Sequence, residues 1–126
     1  MSVVERMRMA EDYLDLRAPL AALEALRPVE DELTGVVSGE LLLARGYFAS
    51  AQLGRAELAF RRVIELDPVN DFAHFALGRT LERQSRHDDA RRHYRIAASM
   101  NPCAEYRQRL DLVEARPAPA PDEPAE

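Results

Sequence analysis

The strongest constraint on how this chain folds is a spacing of 34 residues that recurs along it. Pro68 and Pro102 stand that far apart, and the same shift carries Leu43 to Leu77, Ala44 to Gly78, Tyr47 to Leu81, Ala56 to Ala90 and Phe60 to Tyr94. One shift back, the row reads Met9, Ala10, Tyr13, Ala22 and Leu26. A fixed period with small or apolar residues at fixed places marks a stack of like units, each burying its apolar face on the next. Within a unit, Met9/Ala10/Tyr13, Leu43/Ala44/Tyr47 and Leu77/Gly78/Leu81 follow i, i+1, i+4, an apolar stripe on a first helix. Ala22/Leu26, Ala56/Phe60/Val63 and Ala90/Tyr94/Ala97 recur at i, i+4, i+7 on a second. The small residues allow close approach of the two helices. Pro68 and Pro102 close their units, because the residue before a proline is pushed out of helical geometry.

The pattern predicts an all-α chain, an α-solenoid of three helix–turn–helix repeats at about 3–36, 37–70 and 71–104. Helices are expected near 3–16, 19–27, 37–50, 53–66, 71–84 and 87–100, the first opened by a capping box of Ser2 and Glu5. The first repeat is degenerate, with Thr34 in place of the closing proline and Arg27-Pro28-Val29 interrupting its second helix. A seventh helix near 103–115, carrying Tyr106, Leu110 and Val113, is expected to cap the last apolar face, which closes one domain over 1–116. Residues 117–126, alternating Pro and Ala before Asp122, Glu123 and Glu126, are expected to be a disordered tail that lies across the basic residues of the third repeat if it folds back at all.

Composition narrows the chemistry. At 126 residues and 47% apolar the chain is an ordinary single-domain length, and no stretch is apolar enough to span a membrane. Charges at Glu5, Arg6 and Arg8 interrupt the apolar core a signal peptide needs, so a cytoplasmic location is expected. The net charge of −5 argues against nucleic acid as a partner. Residues 5–34 hold eight acids against four Arg, whereas residues 79–109 hold eight Arg against four acids, so the chain is acidic first and basic late. All 17 basic residues are Arg, which fits the codon usage of a GC-rich, bacterial-style genome. Arg61, Arg62, Arg91, Arg92 and Arg95 read as a solvated outer face with Glu57, Glu65, Asp88 and Asp89 as partners.

No catalytic set emerges. His87, Asp88, Asp89 and His93 look like a ligand cluster, but six residues place the two imidazoles on different faces of a helix, and they read as solvated residues with the acids favouring the helix N-terminus. A lone cysteine, Cys103, and five glycines with no phosphate-loop spacing add no nucleophile or cofactor cradle. The expectation is no enzyme, no metal and no cofactor.

The repeat resembles the tetratricopeptide repeat family over about residues 3–102, most clearly in the third copy, Leu77-Gly78-x-x-Leu81, Ala90-x-x-x-Tyr94 and Pro102. Where that family carries a Trp, Glu40 and His74 stand here, and His74 reads as a packing residue. About a third of a turn from the packing stripe runs a second one: Phe72, Phe75, Arg79, Glu82 and Arg83, with Ser38, Leu41, Arg45 and Phe48 before it and Val4, Met7, Glu11 and Leu14 in the first copy. The resemblance implies that this face lines a concave groove. Leu41, Phe48, Phe72 and Phe75 would be its apolar anchors, with Arg45, Arg79, Glu82 and Arg83 beside them. Successive exposed Phe residues need a cover: a peptide, a second copy of the chain, or the chain's own neighbouring helices. Family grooves that clamp a chaperone's terminal carboxylate carry Lys and Asn where Met7 and Glu11 stand here, so that clamp is not implied. The reading is a non-catalytic interaction module or adaptor that holds an acidic, partly apolar peptide or helix of another protein. The alternative is self-assembly, such as a homodimer, through the same apolar and Arg face.

Overall fold

The structure is a computed structural model and describes residues 1–116. The acidic tail at 117–126, and with it the idea that it folds back on the groove, lies outside the described residues. Among the described residues eight α-helices run in chain order: α1 (Val3–Asp15), α2 (Pro19–Leu26), α3 (Glu30–Leu33), α4 (Val37–Ala49), α5 (Leu53–Leu66), α6 (Asp71–Arg83), α7 (His87–Met100) and α8 (Ala104–Glu114). Helices α1 and α2, α4 and α5, and α6 and α7 pair as antiparallel hairpins, and α2 on α4, α5 on α6 and α7 on α8 join them into a stack.

The 34-residue period reappears in the backbone. Each hairpin turns through one left-handed residue, Arg17 (φ 59°), Ala51 (φ 63°) and Ser85 (φ 63°). The following amide, of Ala18, Gln52 or Arg86, bonds back to the carbonyl of Tyr13, Tyr47 or Leu81 at 2.8–2.9 Å. That is a Schellman closure, which satisfies carbonyls at the end of the first helix. Helix α1 opens with the Ser2–Glu5 capping box, both bonds at 3.1 Å, and α6 opens with the Asn70 side chain accepting from the Ala73 amide.

The first repeat departs from the pattern where Pro28 interrupts it. A 3-10 turn (Arg27–Val29) and the one-turn α3 follow α2, and they bury Val29 and Leu33 against the first repeat's core. That core of Ala10, Ala22, Ala25, Leu26 and Leu43 meets a larger one built from the second and third repeats around Phe60, Phe75, Leu77, Tyr94 and Tyr106. Gly78 is required by this packing: a Cβ there would stand 2.6 Å from the Tyr94 ring. The last helix caps the stack as expected, with Tyr106 and Val113 buried. Its Tyr106 hydroxyl donates to Asp71 at 2.9 Å, and Arg95 pairs with Glu114. Hydrogen bonds from Asn101 first, then from Tyr106, hold the Asp71 carboxyl below its ordinary range despite burial.

Two polar residues stand on the packing faces at equivalent places. Glu40 is fully buried and receives Arg62 Nε at 3.2 and 3.1 Å, together with the Gly35 amide. His74, also buried, places Nε2 3.2 Å from the Pro68 carbonyl and Nδ1 3.2 Å from His93 Nδ1. A carbonyl only accepts, so His74 carries its hydrogen on Nε2 and its Nδ1 accepts from His93. The two imidazoles stack at 5.5 Å. His93 is therefore half-buried against α6, a correction to its reading as a solvated residue.

Burial, then the charge a protonated His74 would carry, hold the His93 imidazole down to about 4, with Arg61 and Arg92 adding to this and Asp89 opposing it. An unfolded imidazole titrates near 6.5, so the unfolded chain binds the extra proton between those values and the native state resists it. The stability that His93 contributes above pH 6.5 is expected to fall by about 2–3 kcal/mol as the pH drops to about 4 and then to level off. Urea titrations of the wild type and His93→Gln check this; an equal loss in both over that window would contradict it.

Candidate functional site

The stripe read from the sequence lies along one side of the stack. It is carried by the first helix of each hairpin, α1, α4 and α6, and two open clefts run beneath it. The wider, of about 600 Å³, lies between α1 and α4 over Val4, Met7, Glu11, Ser38, Leu41 and Arg45, with Phe72 at its edge. The narrower, of about 270 Å³, lies between α4 and α6 over Leu14, Arg45, Phe48, Phe72, Phe75 and Arg79. Both clefts share Arg45 and Phe72, so they form one groove. Its lining is mostly apolar, and its exposed apolar side chains are Val4 and Phe72, 57% and 40% accessible.

Three of the residues assigned to this face behave differently from expectation. Phe75 is only 4% exposed. It floors the narrower cleft while stacking on Tyr106 at 4.5 Å and lying 5.6 Å from Tyr94. Its cover is the chain's own α7 and α8, so it is a core residue and not a free anchor. Glu82 turns away from the groove and accepts the Tyr94 hydroxyl at 2.7 Å. Burial first, then that bond, pushes the Tyr94 phenol well above its ordinary range. Arg83 lines neither cleft: its guanidinium lies 5.1 Å from the Phe48 ring centroid and donates to the Phe48 carbonyl at 3.5 Å.

The remaining cations differ in how far they are compensated. Arg45 stands 4.0 Å from Glu11 across the wider cleft. Arg79 lies over Phe48 at 5.3 Å, and among the described residues neither it nor Arg83 has a carboxylate within ion-pair distance. By contrast Arg61, Arg62, Arg86, Arg91, Arg92 and Arg95 are held by Glu57, Glu40, Asp88, Asp89 and Glu114.

Sequence reasoning missed Arg8, Leu42, Phe60 and Ala76 as lining residues, and it missed Glu105, which α8 brings to the mouth of the narrower cleft. Arg8 was findable, one helical turn from Val4; Glu105 depends on how α8 docks. Among the described residues no group of three His, Cys, Asp or Glu side chains is placed to hold a metal, and no helix is long and apolar enough to cross a membrane.

Residues 59–92, running from the middle of α5 through α6 into α7, match the tetratricopeptide repeat family. No curated protein sequence matches the chain. Among solved structures, a crystal structure of MamA superposes with a TM-score of 0.81 at 24% identity, over 89% of this chain and 66% of that one. Another MamA structure, MSR-1 C2, gives 0.77 at 20% identity over 90% of this chain and 66% of that one. The chain thus spans about two thirds of the length of these MamA chains. The first TPR of Spaghetti (RPAP3), bound to the HSP90 peptide SRMEEVD, gives 0.81 at 14% identity over 89% of this chain and 90% of that one. The match over residues 59–92, set in a stack of three such hairpins, gives the chain a fold similar to that of tetratricopeptide repeats.

Proposed function

We propose that the chain is a protein-interaction module whose groove holds an acidic, partly apolar segment of another protein. The observation that carries this reading is the meeting of eleven stripe residues, from Val4 to Arg79, on two clefts joined at Arg45 and Phe72. The clefts offer apolar burial, and Arg45, Arg79 and Arg83 offer planar forks for carboxylates. The likeness to the first TPR of Spaghetti (RPAP3), whose structure holds a peptide with three acidic side chains, supports a groove of this use. A surface this small suits affinities on the order of micromolar, or about −8 kcal/mol.

The expected result is that Arg45→Glu with Arg79→Glu weakens binding of acidic, Leu-containing peptides by tenfold or more, and that the wild-type affinity falls as salt rises. Helical circular dichroism should be unchanged. Undiminished binding removes the groove from the account. Self-assembly through the same face would appear as a mass above 14.2 kDa in light scattering. It draws less support from charge than the sequence suggested, because half of the eight Arg at 79–109 are held by carboxylates of the same molecule.

A further inference from the structure

The groove's cations are not equivalent, and the difference points to a particular kind of ligand. Arg79 and Arg83 lie one helical turn apart on α6, and both guanidiniums lie over one ring, Phe48, at 5.3 and 5.1 Å from its centroid. Two like charges gathered on one phenyl ring repel each other, and helical spacing offers Glu82 as the neutralising partner. That carboxylate is taken by Tyr94 on α7. Glu105 lines the adjoining cleft but forms no ion pair with either Arg. Among the described residues the pair therefore holds two positive charges without a carboxylate partner beside one ring, with Arg83 also donating to the Phe48 carbonyl at 3.5 Å. Arg45, by contrast, already has Glu11 across from it.

We propose that Phe48, Arg79 and Arg83 form an anchor for a doubly charged anionic group on the ligand, beside a large apolar side chain that enters the narrower cleft. A single carboxylate satisfies one guanidinium fork. Two adjacent carboxylates, or one phosphate group with three acceptor oxygens and nearly two charges, satisfy both. The shared Phe48 ring favours both cations over its face, and their planar forks suit these bonds. This assignment rests on the groove being the ligand site, and it adds which residues read the acid and how many charges they read.

The test uses fluorescein-labelled nine-residue peptide pools whose flanking positions are drawn from Leu, Ala and Ser. Four centres are compared: Asp-Glu, phosphoserine-Ala, Ala-Glu and Asn-Gln. Wild-type chain is expected to bind at least one doubly charged pool about tenfold tighter than the amide pool, and several-fold tighter than the singly charged one. Arg79→Gln with Arg83→Gln should erase that advantage, and Arg79→Lys with Arg83→Lys, which keeps the charges without the planar forks, should lose part of it. Arg91→Gln, which removes a charge outside both clefts, should keep it within about threefold. Preference for the Asp-Glu pool identifies an acidic segment, and preference for the phosphoserine pool a phosphorylated one.

The anchor is overturned if the advantage survives in Arg79→Gln/Arg83→Gln or vanishes equally in Arg91→Gln. It is overturned alone, with the groove reading intact, if the amide pool binds as tightly as the charged pools and Phe72→Ser abolishes that binding. If no pool binds at all, the groove reading fails with it.

Discussion

Phe75→Ala is expected to destabilise the fold by about 3–5 kcal/mol and to lower the thermal midpoint by about 10 °C or more. The side chain is nearly fully buried, between Tyr94 of α7 and Tyr106 of α8, at ring separations of 5.6 and 4.5 Å. Truncation leaves a cavity at the joint of three helices, and neither tyrosine is free to fill it: Tyr94 is held by Glu82 and Tyr106 by Asp71. The cost should appear in urea and thermal melts with no ligand present. Unchanged stability together with lost ligand binding would instead make Phe75 a groove anchor, and would mean that α8 does not dock as described. For the same reason, groove variants should be built on Phe72, which is substantially exposed.

Removing Arg62 is expected to be the largest effect of a surface-reaching residue, about 2–3 kcal/mol for Arg62→Ala. Glu40 is 1% exposed, and without the guanidinium it keeps only the Gly35 amide as a donor among the described residues. An uncompensated buried carboxylate costs about 3–5 kcal/mol, a figure reduced here because the Arg62 side chain is 47% exposed and its end of the pair is screened. Well-packed apolar replacements of both partners are often neutral, so Glu40→Leu with Arg62→Leu should return to within about 1 kcal/mol of the wild type. Denaturant titrations of the two single variants and the double variant read this directly. Two single variants each within about 0.5 kcal/mol of the wild type would show that the pair carries no stability.

The fold was largely legible because its two signals are local and repeated. The small residues Ala10, Ala44 and Gly78 and the closing prolines Pro68 and Pro102 set the helix ends to within a residue or two of Val3–Asp15, Val37–Ala49, Leu53–Leu66, Asp71–Arg83 and His87–Met100. The hairpin turns were placed without being explained: Arg17, Ala51 and Ser85 adopt left-handed geometry with no glycine to announce it. The segment from Arg27 to Leu33 was marked only as an interruption. Pro28 removes one amide donor, yet the chain continues as a 3-10 turn and a short helix because Val29 and Leu33 gain burial.

The groove was legible as a helical stripe, since one periodicity places Val4, Leu41 and Phe72 on a common side. What the stripe leaves open is which of its members a neighbouring helix takes. Phe75 and Glu82 are claimed by α7 and α8 through Tyr94 and Tyr106, partners 12 to 31 residues away that no local pattern predicts. The His74–His93 contact is of the same kind, joining two helices across 19 residues of sequence.

The most direct test of the central claim is an amide chemical-shift map of isotope-labelled chain titrated with the acidic, Leu-containing peptide pool. The account predicts shifts concentrated on α1, α4 and α6, at Met7, Leu41, Arg45, Phe48, Phe72 and Arg79, with the outer faces of α5 and α7 unmoved. Shifts confined to the outer helices, or no shift anywhere at millimolar peptide, would contradict it.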